Sequence, residues 1–193
     1  MAIVCEEMSA ARSKRIGDAL KLIRKRVEEY KPKLPSDLYD ALQRFFAEDR
    51  KSYADCVKTF VSKNMDGKRG EAGGQSVWIS PTCFETKTGP GGDLLAAELL
   101  HELVHIACGN ELDAEFFENL LFLKGGTPPT EGDWWKFEGS DFKGWWVSLT
   151  PPKGMDRKKP ARLIDLWNKN PKLFLDGCKV AEHHGSPETI PNG

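Results

Sequence analysis

The sequence lacks the features that mark several large protein classes. No stretch is long and apolar enough to resemble a transmembrane helix, and the formal net charge is only −1, so neither a membrane nor a nucleic acid is an expected partner. The 193 residues contain no internal repeat and no low-complexity tract. With 39% apolar residues, 30% charged residues and a mean hydropathy of −0.50, the composition is that of one ordinary globular domain.

Cysteine occurs only at widely spaced positions, which are Cys5, Cys56, Cys83, Cys108 and Cys178. The number is odd and no CxxC pair occurs, so we expect free thiols in a reducing compartment and no disulfide framework. Residues 1–7 carry acids where a signal peptide needs a basic start and a long apolar run. These features predict a cytoplasmic protein, and they are also compatible with export by a route without a cleaved signal.

The apolar pattern predicts a single α+β domain over residues 1–193, with an N-terminal helical portion at 1–63. Apolar residues at spacings of three and four predict an amphipathic helix over residues 9–31. Ser36 is a suitable N-cap for a second helix. A third helix is predicted to hold the apolar residues between positions 53 and 61.

The middle of the chain is predicted to contain a small sheet. Residues 64–75 hold four glycines among charges and predict a mobile loop. Val77–Ser80 predicts a short strand that Pro81 stops, and Cys83–Thr86 is the candidate for another strand. This region opens the predicted metal-site core, residues 76–124.

Two helices are predicted to complete that core. Asp93 is a good N-cap for a helix over residues 94–108, and Gly109 stands where a left-handed residue ends such a helix. Another helix starts near residue 110 and runs to residue 124. The final residues, 182–193, are predicted to form a flexible tail.

The helix over residues 94–108 carries an HExxH motif, His101-Glu102-Leu103-Val104-His105. Four residues make about one helical turn, so the two histidines project from one face and can share one metal ion. Glu102 lies beside that face and can take a proton from a water molecule and pass it to a leaving amine. The motif predicts zinc as a cofactor and Glu102 as the catalytic base.

The rest of this helix is apolar, which predicts a central, buried element. Its polar residues fall on one stripe at spacings of three and four: Glu98, His101, Glu102 and His105. Because unpaired carboxylates and imidazoles are costly to bury, a bound cation explains the stripe. A pair of hydrogen-bonded core histidines without a metal is the alternative.

A catalytic zinc ion needs a third protein ligand and one open position. Glu111 is the first candidate, because it follows His105 by six residues and lies just past the turn at Gly109. Asp113 and Glu115 compete for the same role, and Glu115 is also placed to orient a ligand imidazole. Without a metal, the three acids would simply stabilise a helix N-terminus.

The segment from Glu98 to Leu121 resembles the active-site core of the zincin metallopeptidases. Asn110–Glu115 is similar to the downstream motif of the glutamate-liganded gluzincins, whereas the six-residue gap after His105 resembles SprT-like and WLM-type peptidases. The resemblance implies a zincin-like domain with a central active-site helix and a zinc-dependent metallopeptidase that acts on peptides or proteins. It also implies that Val77–Ser80 is a sheet-edge strand that pairs with an extended substrate, and an ordinary core strand is the equally weighted alternative.

Other functions fit the same motif. His101, His105 and Cys108, with one more donor, would form the closed site of a non-catalytic structural zinc module. An effector or toxin metalloprotease would use the same chemistry on another organism's protein. Cys83 upstream of the motif resembles the arrangement in peptide deformylases, although their surrounding motifs are missing. One of the two adjacent histidines of the predicted tail, at 183 and 184, could stabilise an oxyanion.

Overall fold

A computed structural model describes residues 5–46, 52–85, 93–122, 135–138, 143–146 and 163–169. The first half contains β1 (Cys5–Glu6), α1 (Ala10–Tyr30), a 3₁₀ turn (Lys31–Lys33), α2 (Ser36–Phe46), α3 (Tyr53–Cys56), β2 (Thr59–Ser62), β3 (Gly70–Gly73) and β4 (Ser76–Ile79). The second half contains α4 (Pro81–Glu85), α5 (Leu94–Ile106), α6 (Glu111–Phe122), β5 (Trp135–Glu138), β6 (Lys143–Trp146) and α7 (Leu163–Lys169). The expected α+β class is confirmed.

The described strands form a four-stranded sheet in the order β1-β2-β4-β3 and a separate pair, β5 and β6. β1, β2 and β4 are parallel, whereas β3 pairs antiparallel with β4, with Gly70 opposite Ile79 and Gly73 opposite Ser76. β4 therefore lies inside the sheet, so the prediction that Val77–Ser80 is an edge strand is wrong. The edge strand next to β4 is β3, which lies within the segment predicted as a loop. The glycine-rich sequence of β3 shows no apolar alternation. The strand forms through backbone hydrogen bonds to β4, which do not depend on such a pattern.

Two further local predictions are wrong. The predicted third helix ends at Cys56, and Thr59–Ser62 forms a parallel strand. Its β-branched and aromatic run suits a buried strand as well as a helix face, and helical spacing alone does not separate the two. The predicted strand at Cys83–Thr86 is largely a short helix, because Pro81 occupies a first helical position that proline favours.

Helix α5 is buried on nearly all sides, as predicted. Its N-terminus is capped by the Asp93 side chain, which accepts the Ala96 N–H at 3.0 Å. The helix contacts α1, α6, β3 and β4. The residue with positive φ after it is Cys108, at 65°, and not Gly109 as expected. Gly109 is needed for a close approach instead, since a β-carbon there would lie 2.9 Å from the Val104 carbonyl oxygen.

The apolar face of α6 is fixed to the core. Phe117 on α6 packs edge-on against Phe45, with ring centroids 5.4 Å apart. The Tyr30 hydroxyl and the Arg26 guanidinium both donate to the Leu121 carbonyl oxygen at 3.1 Å. These contacts hold α6 in one rotation, with its acidic side turned towards α5.

Asp113 is fully buried and ties α6 to α7. One carboxylate oxygen accepts the Asn110 N–H at 3.0 Å, and the other accepts the Leu163 N–H at 2.8 Å. The Asn110 side chain accepts the Asp113 N–H in return, at 3.0 Å. These bonds engage the Asp113 carboxylate in the scaffold, so the competing ligand candidate has a structural role.

The cysteines depart in part from the free thiols expected. Cys5, Cys83 and Cys108 form no disulfide, but Cys56 is disulfide-bonded, and its partner lies outside the described residues. Wide spacing in the sequence did not exclude this bond, because folding decides which cysteines meet. Within the described ranges, no helix has the length and apolar character needed to cross a membrane. The tail predicted at residues 182–193, with its two histidines, also lies outside the described residues.

Replacing Asp113 by alanine should lower the free energy of unfolding by about 2–4 kcal/mol, because buried N–H groups lose a charged acceptor. Urea unfolding followed by circular dichroism measures this change. Asn119→Ala, at a half-buried position of the same helix, is the control and should change stability by less than about 1 kcal/mol. Equal effects of the two substitutions would remove the structural role of Asp113.

Candidate metal centre

The structure brings together the three residues predicted as metal ligands. His101 Nε2 lies 3.3 Å from one carboxylate oxygen of Glu111, and His105 Nε2 lies 3.4 Å from the other. All three donor atoms lie within 4.8 Å of one another. The two imidazole rings are 4.9 Å apart between centroids and meet edge to face. One turn of α5 and the first residue of α6 therefore point at a common position.

Hydrogen bonds at Nδ1 orient both imidazoles. His105 Nδ1 lies 3.0 Å from the Gly109 carbonyl oxygen, and His101 Nδ1 lies 3.1 Å from a carboxylate oxygen of Glu118. Both oxygens are acceptors, so they favour the tautomer in which Nδ1 carries the proton and Nε2 keeps its lone pair. Each ring thus presents a lone pair towards Glu111, which is the arrangement that a metal-binding histidine needs.

Glu118 was missed in the sequence analysis, which assigned this orienting role to Glu115. Glu118 follows Glu111 by seven residues, two helical turns, so helical spacing places both on one side of α6. That spacing is a signal that could have identified it. Glu115 lines the same cleft, and its Oε2 is buried without a hydrogen-bond partner. Burial raises the pKa of Glu115.

The donors suit a divalent transition metal. Two imidazole nitrogens and a carboxylate form a ligand set that catalytic zinc sites use. The Glu111 side chain is 75% exposed, whereas the two histidine side chains are only 17% and 19% exposed. The two histidines of α5 would therefore hold a bound ion on its buried side, and solvent would reach the ion from the side of Glu111. The residues present fit such an ion.

Neither cysteine candidate joins this donor group. Among the described residues, the atoms within 4.8 Å of one another come from the two histidines and Glu111. Cys108 is buried and lines the cleft, but its sulfur is outside the group. The Cys83 thiol donates to the Arg69 carbonyl oxygen at 3.6 Å, and burial raises its pKa to about 11. Both behave as buried small side chains, so a sulfur ligand is not supported.

The donors open into a cleft of about 800 Å³. Edge strand β3, α5 and the acidic side of α6 line this cleft. Gly70 on β3 lies directly over α5: a β-carbon there would contact Glu102 Oε1 and would lie 2.8 Å from Glu98 Oε1. A glycine at this position leaves room for both carboxylates between the strand and the helix.

Glu102 is almost completely enclosed, with 3% of its surface exposed. Its Oε2 has no hydrogen-bond partner in the described structure. Burial raises the pKa of Glu102 to about 8, although neighbouring His101 opposes the shift. A carboxylate with such a pKa can both accept and release a proton near neutral pH.

The acidic surroundings favour positive charge at His101. Burial lowers the pKa of His101, but its hydrogen bond to Glu118 and the nearby Glu102 carboxylate outweigh burial and raise that pKa to about 9. The same carboxylates would stabilise a metal cation at Nε2. A proton and a metal ion compete for this nitrogen, so metal binding should weaken in acid.

Comparisons with protein-family models, with curated proteins and with solved structures found no match. The functional interpretation therefore depends on the motif and on the geometry of these side chains.

Glu102→Gln should stabilise the metal-free protein increasingly as the pH rises. Because the folded-state pKa is about 8 and the ordinary value is 4.5, the Glu102 carboxyl stabilises the fold most below pH 4.5 and loses that contribution towards pH 8. The difference in unfolding free energy should grow from near zero at acidic pH to the order of a few kcal/mol at alkaline pH.

Urea unfolding with a chelator at several pH values from 4.5 to 8 measures this difference. Glu71→Gln on the exposed edge strand is the control, for which we expect no such growth. A Glu102→Gln difference that is independent of pH would contradict the burial of an unpaired carboxyl.

Proposed function

We propose that this protein is a zinc-dependent metallopeptidase of the zincin type that hydrolyses peptide bonds in peptides or proteins. The observation that supports the proposal most directly is the convergence of His101 Nε2, His105 Nε2 and the Glu111 carboxylate in a cleft that Glu102 also lines. If the HExxH motif had arisen by chance, we would not expect a carboxylate from another helix to lie within 3.4 Å of both imidazoles. We would also not expect a hydrogen-bond acceptor at the Nδ1 atom of each histidine.

In the proposed reaction, His101, His105 and Glu111 hold the zinc ion. When bound, zinc supplies a Lewis acid that activates water and polarises the scissile carbonyl group. Glu102 accepts a proton from the attacking water and donates it to the nitrogen of the leaving amine. Its enclosed position shields the proton from bulk solvent, and Glu118 and the Gly109 carbonyl group keep the imidazoles oriented.

Edge strand β3 gives the proposed substrate a binding surface. β3 pairs with β4 on one side, and no other described strand pairs with it on the other side. An extended peptide can add to such an edge through backbone hydrogen bonds, which bind without regard to side chains. Because β3 also lines the cleft, an added peptide would pass close to Glu102.

The structural zinc module is the weaker alternative. A closed site needs a fourth protein ligand, and the grouped donors in the described residues number three. Glu111 is exposed towards the cleft, which leaves that side accessible to a water molecule and a substrate. This openness favours catalysis.

Substitutions of the ligands and of the base should have separate effects. Glu102→Gln should keep one bound zinc ion per chain and lower casein hydrolysis by about 10²-fold or more, because proton transfer is lost. His101→Ala and His105→Ala should lose both zinc and activity, and Glu111→Ala should bind zinc at least about tenfold more weakly.

Zinc content by mass spectrometry of the dialysed protein and release of labelled casein fragments measure the two properties. Glu29→Gln, on the distant surface of α1, is the control that should change neither. Turnover that persists in Glu102→Gln, or wild-type turnover that is unaffected by chelation, would contradict the proposal.

Gly70→Ala tests the packing of the edge strand over the base. The added methyl group would displace the Glu102 carboxylate, and displacement of about 1 Å can cost 10²-fold in rate. We expect kcat to fall while zinc content and the unfolding midpoint stay close to wild type, because a flexible side chain moves more easily than the backbone.

Gly73→Ala on the same strand is the matched control, since its β-carbon would meet the Trp78 ring at 3.0 Å and neither carboxylate. The result that would refute this packing argument is a loss of kcat in Gly73→Ala as large as that in Gly70→Ala.

A further inference from the structure

Glu98 is a buried carboxylate that the proposed reaction does not use. It lies on α5 one turn before Glu102, its exposed fraction is 8%, and it lines the same cleft. It forms no hydrogen bond and no ion pair with any described residue. Burial raises the pKa of Glu98, and His101 and, more weakly, Arg69 attract its carboxylate electrostatically without forming an ion pair with it. An unpaired carboxylate in this setting costs stability that a leucine side chain would not cost.

The position of Glu98 is defined by its approach to edge strand β3. Its Oε1 and that of Glu102 both lie against the point that a β-carbon of Gly70 would occupy. The two carboxylates thus converge beneath the strand. A peptide that adds to β3 would pass close to Glu102. A side chain of that peptide next to the scissile bond, or its free terminus, would then reach Glu98.

The charges of the cleft favour a cation there. Two cationic side chains, Lys68 and Arg69, line it, against six acidic side chains, which are Glu71, Glu98, Glu102, Glu111, Glu115 and Glu118. Burial keeps Glu102 partly protonated near neutral pH, and the other five acids still outnumber the two cationic side chains. A positively charged substrate group is therefore attracted to the cleft and finds at Glu98 an acceptor that no described group occupies.

We propose that Glu98 forms a subsite that binds a positively charged group of the substrate next to the scissile bond, either a lysine or arginine side chain or a free α-amino group. This inference rests on the proposed peptidase function and names its substrate class. The cation supplies the hydrogen-bond donor and the countercharge that the Glu98 carboxylate lacks, and the wall at β3 holds the peptide in register for that contact.

Binding of peptides to zinc-loaded Glu102→Gln protein separates recognition from turnover. The probes are fluorescently labelled, N-terminally acetylated octapeptides that differ at one central position: lysine, arginine, norleucine or glutamate. A second norleucine peptide has a free N-terminus. A charge-assisted hydrogen bond predicts about tenfold or greater tighter binding of the cationic peptides than of acetylated norleucine. Preference for the central lysine or arginine assigns a side-chain subsite, and preference for the free terminus assigns an α-amino subsite.

The substitution Glu98→Gln, added to the Glu102→Gln protein, preserves the shape of the side chain and removes its charge. It should reduce the preference for cationic peptides over acetylated norleucine to within about twofold. Glu98→Asp should retain part of this preference, because the charge remains. Glu71→Gln, an exposed acid that lines the same cleft, is the matched control and should keep the full preference. Thermal unfolding of each variant verifies that it is folded.

Equal or undetectable binding of all peptides, or a preference that Glu98→Gln leaves intact, overturns the subsite. Failure of the proposed function has a different signature. In that case the wild-type protein hydrolyses none of the peptides, although the cationic ones still bind through Glu98.

Discussion

The burial of a polar stripe on helix α5 is the constraint on which the rest of the site depends. Apolar neighbours surround this helix on nearly all sides, yet Glu98, His101, Glu102 and His105 must face some group that offsets the cost of their burial. In this fold the four polar side chains line an open cleft, so they are not packed against apolar side chains. Strand β3 approaches through Gly70, which adds no side chain, and α6 presents acids towards the imidazoles.

Helix α6 has two faces with different functions, and each depends on the other. Its apolar face packs into the aromatic core and is fixed to α1 through the Leu121 carbonyl group, while Asp113 fixes its first turn and α7. With the rotation of the helix set in this way, Glu111 and Glu118 reach opposite nitrogens of the His101 ring. The packing of the core thus fixes the positions of Glu111 and Glu118 relative to the two imidazoles.

Helical periodicity predicted the parts of the protein that depend on local spacing. It gave α1, the buried α5 with its Asp93 cap, and the convergence of His101 and His105. It did not give the parts that depend on distant pairing. Strand β3 has no apolar alternation and exists through its pairing with β4, so its sequence resembles a loop. Glu118 and Glu115 share one side of α6, and only the tertiary approach of α5 selects Glu118 as the partner of His101.

In the proposed site, two imidazoles and one carboxylate, without sulfur, hold a zinc ion. Zinc K-edge X-ray absorption of the zinc-loaded protein tests it most directly, because nitrogen and oxygen ligands scatter at about 2.0–2.2 Å and sulfur at about 2.3 Å. We predict a shell of nitrogen and oxygen only, with the multiple-scattering pattern of two imidazoles. A sulfur shell would place a cysteine in the site, and a spectrum without imidazole scattering would remove His101 and His105 from it; either result would rule out the proposed ligand set.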